Sequence, residues 1–171
     1  MGRGPLDRIV GWPKAVGEAP RPGDLDQLFS LLASIQPGAW SMDRLQNEKA
    51  RRDSLALWIG QGPAVVAALL GRIILDEFHI LDLATAVACR RRGLARDLLS
   101  RALGVATGQG CSQALLEIRA SNQAAQQLYE EAGFVVVGSR PRYYRDGEAA
   151  LLMTRPFDEV GQGAPDGEST L

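Results

Sequence analysis

The segment LLEIRASNQAAQQLYEEAGF, residues 115–134, holds a strand, a turn and a helix in close succession. Its first part alternates polar and apolar side chains, which predicts a strand with Glu117 on the face opposite to its apolar neighbours. Its second part predicts a helix over residues 122–132, ended by Gly133. Because helical side chains lean toward the N-terminus of their helix, Tyr129 should point back toward the turn. A carboxylate and a phenol therefore flank one strand-to-helix turn, as a base and an acid would.

The composition is that of one globular domain. The chain has 171 residues, of which 46% are hydrophobic and 23% are charged, and this length is enough for a substantial core. A net charge of −1 argues against direct nucleic-acid binding, which needs a basic surface. No run approaches the roughly 18 uncharged apolar residues of a membrane span, so no membrane association is expected.

Cysteine use and the ends of the chain give further expectations. The two cysteines, Cys89 and Cys111, lack zinc-site spacing and are too few for a disulfide scaffold, which predicts no metal site and a cytoplasmic location. Residues 1–20 and 158–171 are rich in glycine and proline and lack sustained periodicity. They are expected to be a flexible N-terminal tail and a disordered C-terminal tail. The folded domain is expected at residues 21–157.

Between the tails, helical and strand patterns follow one another as in an α/β fold. Two helices come first, then a hairpin, a third strand, a helix, a strand, a helix and two final strands. Short connections between successive strands imply antiparallel pairing, so most of one mixed sheet should be antiparallel, with helices on its faces. A helix that begins near Leu94 connects FHILDLAT, residues 78–85, to ALLEI, residues 114–118. Such a crossover makes these two strands parallel neighbours.

The sequence TAVACRRRGLARDLL, residues 85–99, is a candidate anion site. A strand ends there, a basic turn follows, and Gly93 opens a helix. The first amides of a helix lack internal acceptors and lie at the positive end of its dipole. Glycine allows an anion to approach closely, and arginines add charge-assisted hydrogen bonds. From charge alone, a solvated arginine run before an ordinary helix explains the pattern equally well.

Four segments resemble motifs of the GCN5-related N-acetyltransferases, the GNAT superfamily. RRRGLA, residues 90–95, fits the signature [QR]-x-x-G-x-[GA] and stands between a strand and a helix, as that signature does. Residues 117–134 are similar to the pattern E-x-R-x-S-N-x-x-A-x-x-L-Y-x-x-x-G-F of the RimI group, the ribosomal-protein-alanine N-acetyltransferases. AWSMDRLQNE, residues 39–48, resembles the P-W-S segment of that group, with Ala39 in place of proline. RPRYYRDGEAALLM, residues 140–153, resembles its tyrosine-bearing segment.

The resemblance implies both a fold and a chemistry. The fold would be the GNAT fold, a mixed and mostly antiparallel sheet with flanking helices and a splayed pair of central parallel strands. The chain would be an enzyme that transfers acetyl directly from acetyl-CoA to the N-terminal α-amine of a protein. A ribosomal protein with an N-terminal alanine is the acceptor that the RimI group suggests, and no metal is implied.

The same resemblance gives a role to each motif position. Glu117 would be the general base and Tyr129 the general acid. The backbone of residues 83–85 would bind the pantetheine arm, and residues 91–96 would bind the pyrophosphate. The cofactor-binding positions are therefore Leu83, Ala84, Thr85, Arg91, Arg92, Gly93, Leu94, Ala95, Arg96 and Asn122.

The sequence also allows other interpretations of the function. The acceptor could be a lysine side chain or a small amine, or the chain could be a coenzyme A-binding module without catalysis. His79 is the single histidine and lies mid-strand, which indicates a structural role and leaves a serine triad or a histidine metal cluster without its residues. Cys89 could form an acetyl-cysteine but has no histidine partner in the sequence pattern. Trp40 and Tyr143 either pack in the core or line the acceptor groove.

Overall fold

The computed structural model describes residues 8–12 and 18–157. In this part of the chain, seven strands form one sheet in the order β1-β2-β3-β4-β5-β7-β6. The strands are β1 (Arg8–Trp12), β2 (Ser54–Gln61), β3 (Ala64–Ile74), β4 (Glu77–Thr85), β5 (Gln113–Arg119), β6 (Val135–Arg140) and β7 (Ala150–Pro156). The helices are α1 (Asp24–Ile35), α2 (Met42–Ala50), α3 (Leu94–Gly108) and α4 (Gln123–Glu131), with a 3-10 turn (Val87–Cys89) before α3.

The predicted fold class is confirmed. Each helix and strand predicted between residues 24 and 156 is present, and the neighbouring strands pair antiparallel except for β4 with β5. That parallel pair is the one that the helical crossover predicted.

Strand β1 corrects the predicted N-terminal tail, because residues 8–12 pair with β2 at the edge of the sheet. The Trp12 indole donates to the Ser54 hydroxyl at 2.9 Å, and its ring lies edge-on to Trp58 at 5.3 Å between centroids. This strand is short and stands among glycine and proline residues, so local patterning did not reveal it. The other predicted tail residues, 1–7, 13–17 and 158–171, lie outside the described residues.

Each face of the sheet carries one apolar layer. Helices α1 and α2 cover one face, where Leu28 and Leu32 pack with Trp58. Helices α3 and α4 cover the other face, where Leu98 packs in the same cluster as Phe78. The leucines of α1 and α3 recur at helical spacing, so each helix presents one apolar stripe to the sheet. Burial of this apolar surface is the main force that holds the layers together.

The parallel pairing of β4 with β5 is short. Its last paired residues are Ile80 and Leu116. Beyond them, β4 continues to Thr85 beside β3, and β5 continues to Arg119 beside β7. The two strands therefore separate in the middle of the sheet and leave a gap, as predicted for the central pair.

A β-bulge lies in β4 where this gap begins. Gly71 of β3 pairs with Ile80, whereas the preceding Leu70 pairs with Asp82, so Leu81 is an extra residue. Because side chains alternate along a strand, one extra residue sends the following side chains to the opposite face. Ile80 belongs to the layer under α3, but Asp82 shares a face with Leu70, in the layer under α1 and α2.

The bulge leaves no room for a side chain at Gly71. A Cβ atom there would lie 2.5 Å from Cε2 of Phe78 and 2.9 Å from the carbonyl oxygen of His79. We therefore expect Gly71→Ala to lower the free energy of unfolding by roughly 1–3 kcal/mol, the usual cost of overpacking, as measured by urea denaturation.

Gly104→Ala is the matched control, since a Cβ at this position in α3 would meet no atom within 4 Å. It should raise the free energy of unfolding by roughly 0.5–1 kcal/mol, because alanine favours a helix over glycine. Wild-type stability in Gly71→Ala would contradict the close contact with Phe78.

Candidate active site

The gap leaves one backbone edge of β4 open. Leu83, Ala84 and Thr85 pair with β3 on one side and have no strand partner on the other among the described residues. A strand edge of this kind can take up an extended ligand through main-chain hydrogen bonds. The three residues to which the family resemblance assigns the pantetheine arm therefore lie at a strand edge without a strand partner, and the assignment stays a prediction.

Three amides at the N-terminus of α3 have no acceptor in the described part of the chain, namely those of Leu94, Ala95 and Arg96. The first hydrogen bond of the helix runs from the Asp97 amide to the Gly93 carbonyl at 3.0 Å. Gly93 has a left-handed φ of 80° and no side chain to cap these amides. Free amides at the positive end of a helix dipole form a site for an anion such as a phosphate.

The arginine side chains of this turn have several partners. Arg96 forms an ion pair with Glu131 of α4, and Arg92 Nη1 donates to Cys89 Sγ at 3.6 Å. Arg91 has a left-handed backbone, with φ 58°, and an exposed side chain. Arg90 Nε donates to the Thr85 carbonyl at 3.5 Å, so three of the guanidinium groups contact protein atoms. What the fold orients toward an anion here is the row of backbone amides.

Glu117 lies on β5, one residue beyond the parallel pairing. Its side chain is 30% exposed, and its Oε1 lies 3.1 Å from Nη2 of Arg140. The Tyr143 hydroxyl also donates a hydrogen bond to this carboxylate, which raises the pKa of Tyr143. Arg140 in turn lies over the Tyr143 ring, 5.6 Å from its centroid. The end of β6 and the segment after it thus supply two groups that hold the Glu117 carboxylate.

Tyr129 lies on the other face of the sheet, in the layer beside α3. It is 4% exposed, and its ring lies edge-on to Phe134 at 5.4 Å. Burial raises the pKa of Tyr129, and the negative charge of Asp82 adds to the effect. The hydroxyl is therefore protonated at neutral pH and can donate. The burial pattern of β5 confirms that Glu117 faces away from the α3 layer, so Glu117 and Tyr129 occupy opposite faces of the sheet.

Asn122 is the N-cap residue of α4. Its Oδ1 accepts a hydrogen bond from the Ala125 amide at 3.1 Å, and the side chain is exposed. The cap uses the carbonyl oxygen and leaves the NH₂ group available as a donor. Its predicted contact with a coenzyme is compatible with this geometry and stays a prediction.

Ion pairs fix the segment between β6 and β7 over the end of β5. Arg119 Nη1 lies 2.7 Å from both Asp146 Oδ2 and Glu148 Oε2, and it lies 4.0 Å from the centroid of Tyr144. The Ser121 amide donates to Glu148 Oε1 at 2.8 Å. Hydrogen bonds from Ser121, together with Arg119, lower the pKa of Glu148 to about 2, so this carboxylate is charged at neutral pH.

Sequence reasoning missed a buried carboxylate at the edge of the gap. Asp82 is 8% exposed and accepts a hydrogen bond from Trp40 Nε1 at 2.8 Å. Burial raises the pKa of Asp82, and the Trp40 bond partly offsets the shift. The available signal was an acidic residue inside the apolar run FHILDLAT. Trp40 itself is 6% exposed, so it packs in the core, whereas Tyr143 is 49% exposed and touches Glu117.

His79 and Cys89, the other residues considered for catalysis, contact neighbouring parts of the fold. His79 Nε2 lies 3.0 Å from Glu77 Oε2, and Cys89 is buried in the α3 layer. Within residues 8–12 and 18–157, no cluster of three or more histidine, cysteine or acidic side chains is arranged to hold a metal ion. None of the helices described is long and apolar enough to cross a membrane.

Known proteins match this chain over most of its length. Residues 25–134 match the family model described as the acetyltransferase (GNAT) family. A ribosomal protein bS18-alanine N-acetyltransferase from Haemophilus ducreyi is 31% identical over 134 residues, covering 76% of this chain and 92% of the relative. The enzyme of the same name from Escherichia coli K12 is 32% identical over 137 residues, covering 78% of this chain and 92% of its own.

A solved structure matches the backbone as well. The crystal structure of the ribosomal-protein-S18-alanine N-acetyltransferase from Escherichia coli has a TM-score of 0.75 and 28% sequence identity. It covers 85% of this chain and 95% of its own chain.

Proposed function

The chain belongs to the GNAT family of acetyltransferases, in its RimI-like group, and on this basis we propose that it acetylates the N-terminal α-amine of a protein. It is an acyltransferase that uses acetyl-CoA. The relatives from Haemophilus ducreyi and Escherichia coli are named for the N-terminal alanine of ribosomal protein bS18. We propose an acceptor of the same class here, which would place the reaction in the cytoplasm. The observation that carries the proposal is the gap between β4 and β5, with Glu117 on one face and Tyr129 on the other.

Acetyl-CoA is proposed to bind along the open edge of β4. The unpaired amides at the N-terminus of α3 suit its pyrophosphate. The edge of β4 from Leu83 to Thr85, which has no strand partner on the side of the gap among the described residues, suits the amides of its pantetheine arm. These two features lie at successive positions along the chain, before and after the basic turn. A ligand held by both would present its acetyl group in the gap.

The two candidate side chains match the proton movements of the reaction. Acetyl transfer forms a C–N bond, breaks a C–S bond and removes a proton from the attacking nitrogen. Glu117 is proposed to accept that proton, directly or through a water. Tyr129 is proposed to donate a hydrogen bond or a proton to the departing sulfur, and the raised pKa of its hydroxyl keeps the donor form populated.

The ordinary pKa values of the two amine classes favour an α-amine as the acceptor. An α-amine has an ordinary pKa of about 7.7–8.0, against about 10.4 for a lysine side chain. Near pH 7.5 a substantial fraction of the α-amine is already neutral, but only on the order of a thousandth of the lysine. The difference of about 2.5 pKa units corresponds to roughly 3.4 kcal/mol. A single carboxylate would therefore deprotonate a lysine acceptor much less readily than an α-amine.

Replacement of Gly93 should weaken cofactor binding. Valine strains the left-handed backbone by roughly 1–2 kcal/mol and places a branched side chain over the free amides. We therefore expect Gly93→Val to lower acetyl-CoA affinity by roughly tenfold or more, as measured by isothermal titration calorimetry.

Gly23→Val is the matched control. Gly23 is the N-cap of α1 with φ 85°, and like Gly93 it has open space around its Cβ position. It should show the same strain and unchanged acetyl-CoA affinity. Equal affinity in Gly93→Val and the wild type would show that the phosphate site is misassigned.

The acid and base roles can be tested separately. Glu117→Gln keeps the shape of the side chain and removes the base, while Tyr129→Phe removes only the hydroxyl. Each should lower kcat by roughly 10²–10⁴-fold, the range typical of acid–base groups, and the lower end is expected because water can substitute in part. Acetyl-CoA affinity should change little.

Steady-state kinetics with thiol detection measures this effect. Glu130→Gln, an exposed change beside Tyr129 on α4, should leave kcat unchanged. Full turnover in either site variant would remove that residue from its proposed role.

The acceptor class is decided by two peptides. A short peptide with a free N-terminal alanine should be acetylated, and the same peptide with a blocked N-terminus and an internal lysine should react far more slowly. Mass spectrometry locates the acetyl group on each product. Equal rates, or a preference for the blocked peptide, would exclude the α-amine and favour a lysine acceptor.

A further inference from the structure

The carboxylate of Asp82 is buried and forms no salt bridge with another described residue. Among the described residues, the buried polar side chains are those of Glu48, Ser54 and Asp82. Glu48 accepts two hydrogen bonds from Nε of Arg72, at 2.8 and 3.1 Å, in a salt bridge that offsets its charge. Asp82 accepts from the Trp40 indole at 2.8 Å and from the Leu83 amide. Both of these donors are neutral, and the positive charge of Arg44 also lowers the pKa of Asp82. A buried charge costs several kcal/mol, and asparagine at this position could accept the Trp40 hydrogen bond without that charge.

The partner of Asp82 is the centre of the segment between α1 and α2. Trp40 is buried in the layer under these helices. Arg44 lies over its ring at 4.3 Å from the centroid and donates to the Ala39 carbonyl at 2.6 Å. The Ser41 hydroxyl caps α2 by accepting from the Arg44 amide at 3.1 Å. Residues 39–44 are thus folded around one indole, whose single polar atom is bound by Asp82.

The hydrogen bond between Trp40 and Asp82 lies on the face of the sheet from which the acceptor is expected to enter the gap. The free amides of α3, the proposed phosphate site, lie on the side of that helix, and Glu117 faces the opposite layer. An acceptor nitrogen that gives its proton to Glu117 must therefore reach the gap from the face of α1 and α2. Residues 39–44 lie on that face, and the Trp40–Asp82 bond joins them to the edge of the gap just beyond the bulge.

We propose that Asp82 is a positioning residue, which acts through the indole of Trp40 to hold residues 39–44 as one wall of the acceptor groove. The proposal rests on the proposed function, since it concerns the site where the protein N-terminus binds. The bulge at Leu81 allows Asp82 to contact Trp40, because without the extra residue Asp82 would face the α3 layer.

The test compares the KM for the acceptor with the affinity for acetyl-CoA in three variants. Trp40→Phe keeps a six-membered aromatic ring and deletes the indole N–H donor, Asp82→Ala deletes the acceptor, and Asp82→Asn keeps an oxygen that can accept from the indole. We expect Trp40→Phe and Asp82→Ala to raise the KM for the free-N-terminal alanine peptide by roughly tenfold, with unchanged acetyl-CoA affinity. Asp82→Asn should keep most of the wild-type KM, and the double variant Trp40→Phe/Asp82→Ala should be no worse than either single variant.

Trp12→Phe is the matched control. It deletes another buried indole donor in the same layer, the one bound to Ser54, at the sheet edge remote from the gap. It should lower the melting temperature and leave the acceptor KM unchanged. If Asp82→Ala does not fold, Trp40→Phe and Asp82→Asn still decide the outcome.

Two results would overturn the positioning role. One is an acceptor KM in Trp40→Phe no higher than in Trp12→Phe, which would leave the bond with a purely structural part. The other is an Asp82→Asn variant as impaired as Asp82→Ala, because the charge and not the hydrogen bond would then matter. Failure of the wild type to acetylate the free N-terminus is a separate result, which would contradict the proposed function instead.

Discussion

Hydrogen bonding between β4 and β5 ends after Ile80 and Leu116, and the arrangement of the candidate site follows from this early separation. A continuous sheet would pair every interior backbone group and leave no place for a ligand between its strands. Here the outer neighbours β3 and β7 keep each strand extended beyond the separation. The sheet therefore stays rigid around the gap, and an extended cofactor can take the part of a missing strand. The proposed binding site thus lies in the interior of the sheet rather than at its outer edge.

The bulge in β4 determines what faces this gap. The extra residue Leu81 exchanges the two faces of the strand, so that Asp82 meets Trp40 and the layer under α1 and α2. Gly71 allows the bulge, because Phe78 fills the space that a side chain would occupy. A buried carboxylate is costly, but here its hydrogen bond joins the layer of α1 and α2 to β4 beside the gap.

Electrostatic features of opposite kinds lie on the two sides of the sheet. On the side of α3, free amides and a helix dipole favour an anion, and Tyr129 is held as a neutral donor by burial. On the other side, Glu117 is partly exposed and is held by Arg140 and Tyr143. This separation suits a reaction in which a phosphate-bearing cofactor and an amine approach one carbon atom from opposite faces. It also accounts for the placement of the proposed base, Glu117, and the proposed acid, Tyr129, in different layers rather than on adjacent side chains.

The helices, six of the seven strands, the parallel pair and the family could be predicted from the sequence, because hydrophobic periodicity, a helical crossover and short motifs can be read from continuous segments. The sequence also placed Glu117 on the correct face of β5 by simple alternation. The pairing of β1 with the sheet could not be predicted in this way, since this strand pairs with a partner distant in sequence. The same holds for the contact of Arg140 with Glu117, which depends on β7 lying between β5 and β6. The burial of Asp82 could not be predicted for a further reason. A bulge changes the face on which the following side chains lie, and it arises from the register between two strands, which no single stretch of sequence contains.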